Sequence, residues 1–267
     1  MLMRFQQRLN QALTSTANLV HWLNPPCCLL CEQIHNLRQA ICLHCEQALP
    51  RNELACGQCG LPLGAETHLP PRHTLRSDGC NGCLRSPPYF KQTLAPFLMR
   101  GRMRELIHLW KFQGQSRLTP LLGALFASAV SHERLQSIPD SAVLVPVPTQ
   151  WYRQAHRGFD HTWLLATALR WQLRNKPEVQ YWLRNTRYRK PQHQRNRRTR
   201  IQASTHRFVA HPHVAGRHII LIDDVMTTGA TARAAAASCA ESGARSITVW
   251  CLARTPLAEN NATDALR

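Results

Sequence analysis

Residues 219–231 read IILIDDVMTTGAT. Four bulky apolar residues, Ile219 to Ile222, fit a strand buried on both faces, as in a parallel sheet. Two carboxylates, Asp223 and Asp224, stand at its carboxyl end, where open α/β sheets bind their ligands. Thr227, Thr228, Gly229, Ala230 and Thr231 follow, ahead of the alanine-rich, helix-prone stretch from Ala232 to Glu241. A helix N-terminus has unpaired N–H groups and a partial positive charge, and both suit a phosphate. Gly229 lets the backbone curl close to that phosphate, and the threonines add hydroxyl donors. Carboxylates would repel the phosphate and, as pure acceptors, serve a vicinal diol instead. The expected ligand is therefore a sugar phosphate, with its ribose hydroxyls on Asp223 and Asp224 and its 5′-phosphate in the 227–231 loop.

Outward from this stretch the chain alternates strands and helices. Residues 142–147 form a β-branched run that predicts a strand, and a helix is expected over about 161–174. Residues 246–252 (SITVWCL) predict a third strand after Gly243, which suits the residue beyond a helix C-terminus. Two helical stretches are expected between Leu94 and Ala129, around LIHLWKFQGQ. This order implies an α/β domain with a mainly parallel sheet flanked by helices. No GxGxxG and no GxxxxGK[ST] occurs, which argues against a Rossmann dinucleotide site and a Walker ATP site. The paired acids could instead hold Mg²⁺ in a carboxylate cage, but the 44 residues from Val179 to Ile222 contain no Asp or Glu.

Eight of the eleven cysteines form four CxxC knuckles: Cys28 and Cys31, Cys42 and Cys45, Cys56 and Cys59, Cys80 and Cys83. Ten residues separate the first knuckle from the second, ten the second from the third, and twenty the third from the fourth. A CxxC turn aims two thiolates at one ion, and two turns complete a tetrahedral sulfur site. The pattern predicts two structural zinc ions in a small, loop-rich module that depends on metal to fold. Loss of Cys42 or Cys56 is expected to unfold that module more than the α/β domain. Pairing of the knuckles can be sequential or interleaved, and Cys27 is an alternative to Cys28. Cys239 and Cys251 read as ordinary buried cysteines.

The chain of 267 residues carries 33 Lys and Arg against 15 Asp and Glu, a formal charge of +18. That excess points to a polyanionic partner, either nucleic acid or a phosphorylated small molecule. Eight arginines and one lysine crowd residues 184–207. Three readings stand for this segment: a lid over pyrophosphate, a groove for single-stranded DNA with Trp182 and Tyr188 for stacking, or a solvated loop. Leu2, Phe5, Leu9 and Leu13 suggest one face of an N-terminal helix. That segment lacks the continuous apolar core of a signal peptide, and nothing in the chain is long and apolar enough to span a bilayer. A cytoplasmic location without membrane insertion is expected. A processed N-terminal cysteine nucleophile is not, since Leu2 follows Met1.

Residues 219–231 resemble the binding signature for 5-phosphoribosyl 1-diphosphate (PRPP) of the type I phosphoribosyltransferases. The chain from about Cys28 to Leu257 resembles the ComF family, whose members join an N-terminal zinc ribbon to such a domain. The resemblance also rests on residues 106–112 (LIHLWKF), 145–162 (VPVPTQWYRQAHRGFDHT), 187–200 (RYRKPQHQRNRRTR) and 249–255 (VWCLART). It implies an N-terminal helix over 1–24, a double zinc ribbon over 25–90, a phosphoribosyltransferase-like domain over 91–260 and a tail over 261–267. It further implies PRPP with Mg²⁺ as ligand, a catalytic role for Asp223, Asp224 and Arg157, and a link to DNA uptake. Lys111, Arg153, Arg157, Arg187, Gln192 and Arg200 would attend the pyrophosphate. Single-stranded DNA and DNA-uptake or helicase-type proteins are the implied partners. The chain departs from the family in having Asp160 after Gly158-Phe159, where Asn is usual. Arg189 and Ala203 stand where the arginine-rich flap usually carries Thr and Asn.

Overall fold

The computed structural model describes residues 27–34, 40–63, 79–149, 159–186 and 207–256. The segment expected as the N-terminal helix lies outside them. So do Arg153, Arg157, Arg187, Gln192 and Arg200. The chain divides into two compact units, residues 1–49 and 50–267.

In the smaller unit, an antiparallel bridge joins Cys27 to Ile34 around the first CxxC turn. The turn is closed by Glu32 N donating to the Cys28 carbonyl at 2.8 Å, with Glu32 in the left-handed region. Helix α1 (Leu43–Gln47) is one short turn, capped by the Cys42 sulfur accepting from the Cys45 N–H.

The larger unit holds a second pair of CxxC knuckles, the latter opening helix α2 (Asn81–Arg85). After it come strands β1 (Gln92–Leu94) and β2 (Phe97–Leu98), then helices α3 (Gly101–Phe112), α4 (Thr119–Ala129) and α5 (His132–Gln136). Strand β3 (Ala142–Pro146) leads to helix α6 (His161–Gln172) and strand β4 (Glu178–Val179). A small hairpin follows, of β5 (Leu183–Asn185) and β6 (Phe208–Ala210). Strand β7 (His218–Met226), helix α7 (Ala230–Glu241) and strand β8 (Ser246–Arg254) complete the described chain.

Six strands form one sheet in the order β1-β8-β7-β3-β4, with β2 added beside β8. Every pairing in it is parallel. This is the mainly parallel α/β architecture expected from the alternation of strands and helices, and it is phosphoribosyltransferase-like. β1, β2 and β4 are two or three residues long, too short to leave a periodic signal, and sequence reading missed them.

Strand β7 is central because its apolar run can be covered on both sides. Ile219 to Ile222 are all buried, paired to β3 on one edge and to β8 on the other. Helix α7 lays Ala232, Ala235, Ala236 and Cys239 into the core, a helical spacing of small residues that brings the helix close to the sheet. It ends where Gly243 takes φ +82°, with Ala244 N donating to the Cys239 carbonyl, a C-terminal motif that glycine accommodates without strain. Helices α4 and α6 also pack closely: a Cβ at Gly123 would lie 2.9 Å from that of Ala168. Among the described residues no helix is long and apolar enough to cross a membrane.

Candidate functional site

The eight knuckle cysteines fall into two groups, Cys28, Cys31, Cys42 and Cys45, then Cys56, Cys59, Cys80 and Cys83. Within each, all four sulfurs lie within 4.8 Å of one another. Pairing is thus sequential, and the first ligand is Cys28; Cys27 is exposed and outside the group. A zinc ion with tetrahedral Zn–S bonds of about 2.3 Å needs sulfurs about 3.8 Å apart. Cys31 and Cys42 are 3.8 Å apart, and Cys59 and Cys80 are 3.6 Å apart. Backbone N–H groups point at the sulfurs, from Cys42 to Cys28 at 3.4 Å and from Cys80 to Cys56 at 3.2 Å.

Without metal the thiols cannot all ionise. The proton shared with Cys59 pulls Cys56 down to about 4, while that hydrogen bond and then burial push Cys59 far up. In the first group burial raises Cys45 to about 12. Cys28 also feels burial, but backbone donors led by Cys42 bring it down to about 6. A divalent ion removes the conflict by replacing the protons. Both groups fit structural zinc, closed by four sulfurs with no position for a reacting ligand.

The second site is a cleft of about 460 Å³ at the carboxyl ends of the parallel strands. Asp223, Asp224, Thr227 and Thr231 line it from β7 and the loop into α7. Arg104, His108, Lys111 and Phe112 line it from α3, and His161 and Arg207 complete the polar wall. The loop turns at Gly229, which caps α7 at φ +79°, a conformation a side chain would strain. Thr228 is exposed and its hydroxyl accepts from Ala230 N at 3.3 Å.

Successive strand residues face opposite sides, so adjacent acids need not share one environment. Asp224 is 7% exposed and takes the Lys111 ammonium at 2.6 Å and His161 Nε2 at 2.5 Å on the same oxygen. Burial opposes its ionisation, but Lys111 and then His161 more than offset that and hold its carboxyl well below the usual range. Asp223 is half-buried and accepts from Asp224 N at 2.9 Å. Burial, and then the charge on Asp224, push its carboxyl up to about 7.

The diol reading gave both acids one task, and the structure separates them. Asp224 is engaged by protein, whereas Asp223 keeps acceptor capacity toward the cleft. Lys111, expected to attend pyrophosphate, lines the cleft as the counter-charge of Asp224.

Three groups carry roles that sequence reading did not assign. His161 sits within the quoted 145–162 stretch, yet a histidine at the start of a helix gave no signal of its buried partner. Arg207 ends the arginine-rich segment, where Thr186 N donates to its carbonyl at 3.0 Å and its guanidinium reaches the Thr231 hydroxyl at 3.2 Å. The pairing of β5 with β6 therefore brings Thr186 and Arg207 together, with Arg207 on the cleft wall. Arg254, 3% exposed, donates to the carbonyls of Met226 and Thr227 beneath the loop.

Asp160 has a plain physical account. Its Oδ1 accepts from Thr162 N and Trp163 N, both at 3.1 Å, and so caps α6. Asn and Asp rank together as N-caps, so the departure from the usual Asn keeps this function.

Residues 19–84 match the double zinc ribbon domain family. The chain is 33% identical to the DNA utilization protein YhgH of Escherichia coli over 204 residues, 75% of this chain and 84% of that protein. It is 27% identical to Competence protein F of Haemophilus influenzae over 202 residues, 74% of this chain and 84% of that protein. Against Competence protein ComFC of Bacillus subtilis it is 28% identical over 174 residues, 64% and 68% of the two chains. With the paired cysteine clusters and the parallel-sheet cleft joined in one chain, these likenesses have one meaning: the protein belongs to the ComF family of DNA-utilization and competence proteins.

Proposed function

We propose that the cleft binds PRPP and that the protein transfers its phosphoribosyl group with release of pyrophosphate. One observation carries this reading. A parallel strand ends in two acids, and its loop turns through a left-handed glycine into a helix N-terminus, all on one cleft with Lys111 and Arg207. The helix start and the Thr227 and Thr231 hydroxyls would take the 5′-phosphate. Asp223 would accept from the ribose hydroxyls, with Asp224 held by Lys111 and His161 as the fixed negative charge behind it. In the reaction the bond from the anomeric carbon to the diphosphate oxygen breaks, and its electron pair leaves with pyrophosphate. The acceptor nucleophile forms the new bond to that carbon and loses its proton. Positive charge developing on the sugar ring would be stabilised by the two carboxylates.

Arg153, Arg157, Arg187, Gln192 and Arg200 are assigned to the leaving pyrophosphate by family resemblance alone. Asp223 and Asp224 are the cleft's two acids among the described residues, too few for a protein-only magnesium cage. Mg²⁺ would therefore be held largely by the diphosphate, whose charge it neutralises.

Calorimetry with PRPP and Mg²⁺ tests the reading. Asp223→Asn should cost about 1.5–3 kcal/mol of binding, the worth of charge-assisted hydrogen bonds. Unchanged affinity in a folded variant rejects the ribose assignment. Pyrophosphate release with a pool of bases and amines then finds the acceptor.

A second reading has its own support: the charge of +18 and the names of the relatives, which speak of DNA utilization and competence. In it the protein acts in the cytoplasm as an accessory factor that holds single-stranded DNA, with DNA-uptake or helicase-type proteins as partners. Contacts to about 4–6 phosphates give a log–log salt slope of about −3 to −4. No binding at low salt excludes it.

A further inference from the structure

We propose that Arg254 is the positioning residue of the cleft's ligand loop and that the second four-cysteine cluster is its anchor, so that metal in that cluster sets the loop's conformation. Arg254 ends β8 and is buried, and among the described residues no carboxylate pairs with it. A charge so placed is costly unless hydrogen bonds satisfy it, and here backbone carbonyls do so, which fixes those carbonyls around the guanidinium. Its Nε donates to the carbonyl of Cys59, a ligand of the second cluster, at 3.2 Å. Its Nη1 donates to the carbonyls of Met226 at 2.9 Å, Thr227, and Thr255 at 3.1 Å. One rigid guanidinium thus joins a zinc knuckle to the first residues of the loop.

A second arginine makes the corresponding tie beyond the loop. Arg233, in the first turn of α7, donates from its backbone to the Gly229 carbonyl at 2.9 Å. Its side chain reaches the Ser86 carbonyl at 2.7 Å and the Cys83 sulfur at 3.9 Å. Both ends of the loop therefore rest on knuckles whose geometry a metal ion would fix. Loss of that ion frees Cys59 and Cys83 to rotate, and the two arginines carry the change to Met226–Ala230.

The test uses the full chain carrying Cys42→Ser, so that only the second cluster holds zinc, and reads amide hydrogen exchange. Chelating that zinc should speed exchange at Thr227–Ala230 at least ten-fold relative to Ile219–Leu221. Arg254→Gln with zinc retained should produce the same local rise without chelator. Arg254→Lys should do so too, because it keeps the charge but not the fork. Unchanged loop exchange in Arg254→Gln, or an equal rise along the whole of β7, overturns the proposal. If chelation unfolds the entire unit with no loop-specific rise, the metal part of the proposal is overturned, and the zinc-loaded Arg254 variants judge the positioning role of the arginine. The affinity arm rests on the PRPP reading: Arg254→Gln should weaken PRPP binding at least ten-fold. A parent protein that binds no PRPP refutes that ligand while the exchange result still judges this inference.

Discussion

The two cysteine clusters share their CxxC knuckles, their four sulfur ligands and their geometry, yet they are embedded differently. In the first, Cys31 and Cys42 are half-buried, and the cluster belongs to the small unit of residues 1–49. In the second, all four cysteines are at most 9% exposed. They share one apolar cluster with Val143 and Val145 of β3 and with Leu221 of β7. The first lies in the smaller unit, whereas the second is part of the sheet unit's core and is tied through two arginines to the loop that lines the cleft. A motif can therefore specify a metal without specifying what the metal supports. The expectation that Cys42 and Cys56 would both mainly affect a separate zinc module treats the clusters as equivalent, and their burial does not.

Removing each zinc in turn tests this difference in embedding most directly. Cys56→Ser should lower the sheet unit's stability by more than about 4 kcal/mol, the range of a lost core metal. Cys42→Ser should leave that unit's melting temperature within about 2 °C, about 0.5–1 kcal/mol. Metal analysis should find two zinc ions in the parent chain and one in each variant. Equal thermal effects in calorimetry would erase the distinction.

Asp224→Asn probes the sheet unit at the end of β7, where Asp224 meets Lys111 of α3. It leaves Lys111, whose side chain is 12% exposed, without its counter-charge and should cost about 3 kcal/mol. Urea unfolding reads the loss, and the zinc of the first cluster should remain bound throughout.

Arg233→Met sharpens the comparison at a finer scale, because it cuts one tie between the second cluster and α7 while both zinc ions stay. The expected loss is about 1.5–3 kcal/mol, that of a hydrogen bond from a charged donor. The second zinc should then leave to a chelator faster, and the first at its original rate.

The smallest effect is a pH dependence confined to the cleft. Asp223 ionises near pH 7 in the folded protein and near its ordinary value of 3.8 when unfolded. The folded state therefore holds the extra proton between these values, and this group's contribution to stability falls as pH rises from about 4 to 7. Binding runs the other way, since the ionised carboxylate is the better acceptor. PRPP affinity should rise between pH 6 and 8 by at most about ten-fold beyond the ligand's own titration. Asp223→Asn should remove that increment in matched calorimetric titrations, and both zinc ions should stay bound across the range.

Much of this molecule was legible locally. Two thiols three positions apart share a turn whatever lies around them, so four CxxC repeats implied two tetrathiolate sites. An unbroken apolar run ending in acids, hydroxyls and glycine marked a buried parallel strand, its carboxyl end and the loop that lines the cleft. Gly229 and Gly243 both adopt the left-handed backbone their positions called for. What the sequence alone determined is therefore the chemistry that arises within a few residues: ligand types, strand and helix periods, and turns that only glycine makes easily.

The tertiary structure decided which of these pieces meet. It paired the knuckles in order and gave Asp224 to Lys111 and His161, leaving Asp223 to the cleft. It also set Arg254 against Cys59, a contact across 195 residues of chain, and Arg233 against Cys83 across 150. The physical reason is range. Periodicity and spacing encode interactions between near neighbours, whereas a buried charge finds its partners only once the sheet has brought distant segments together.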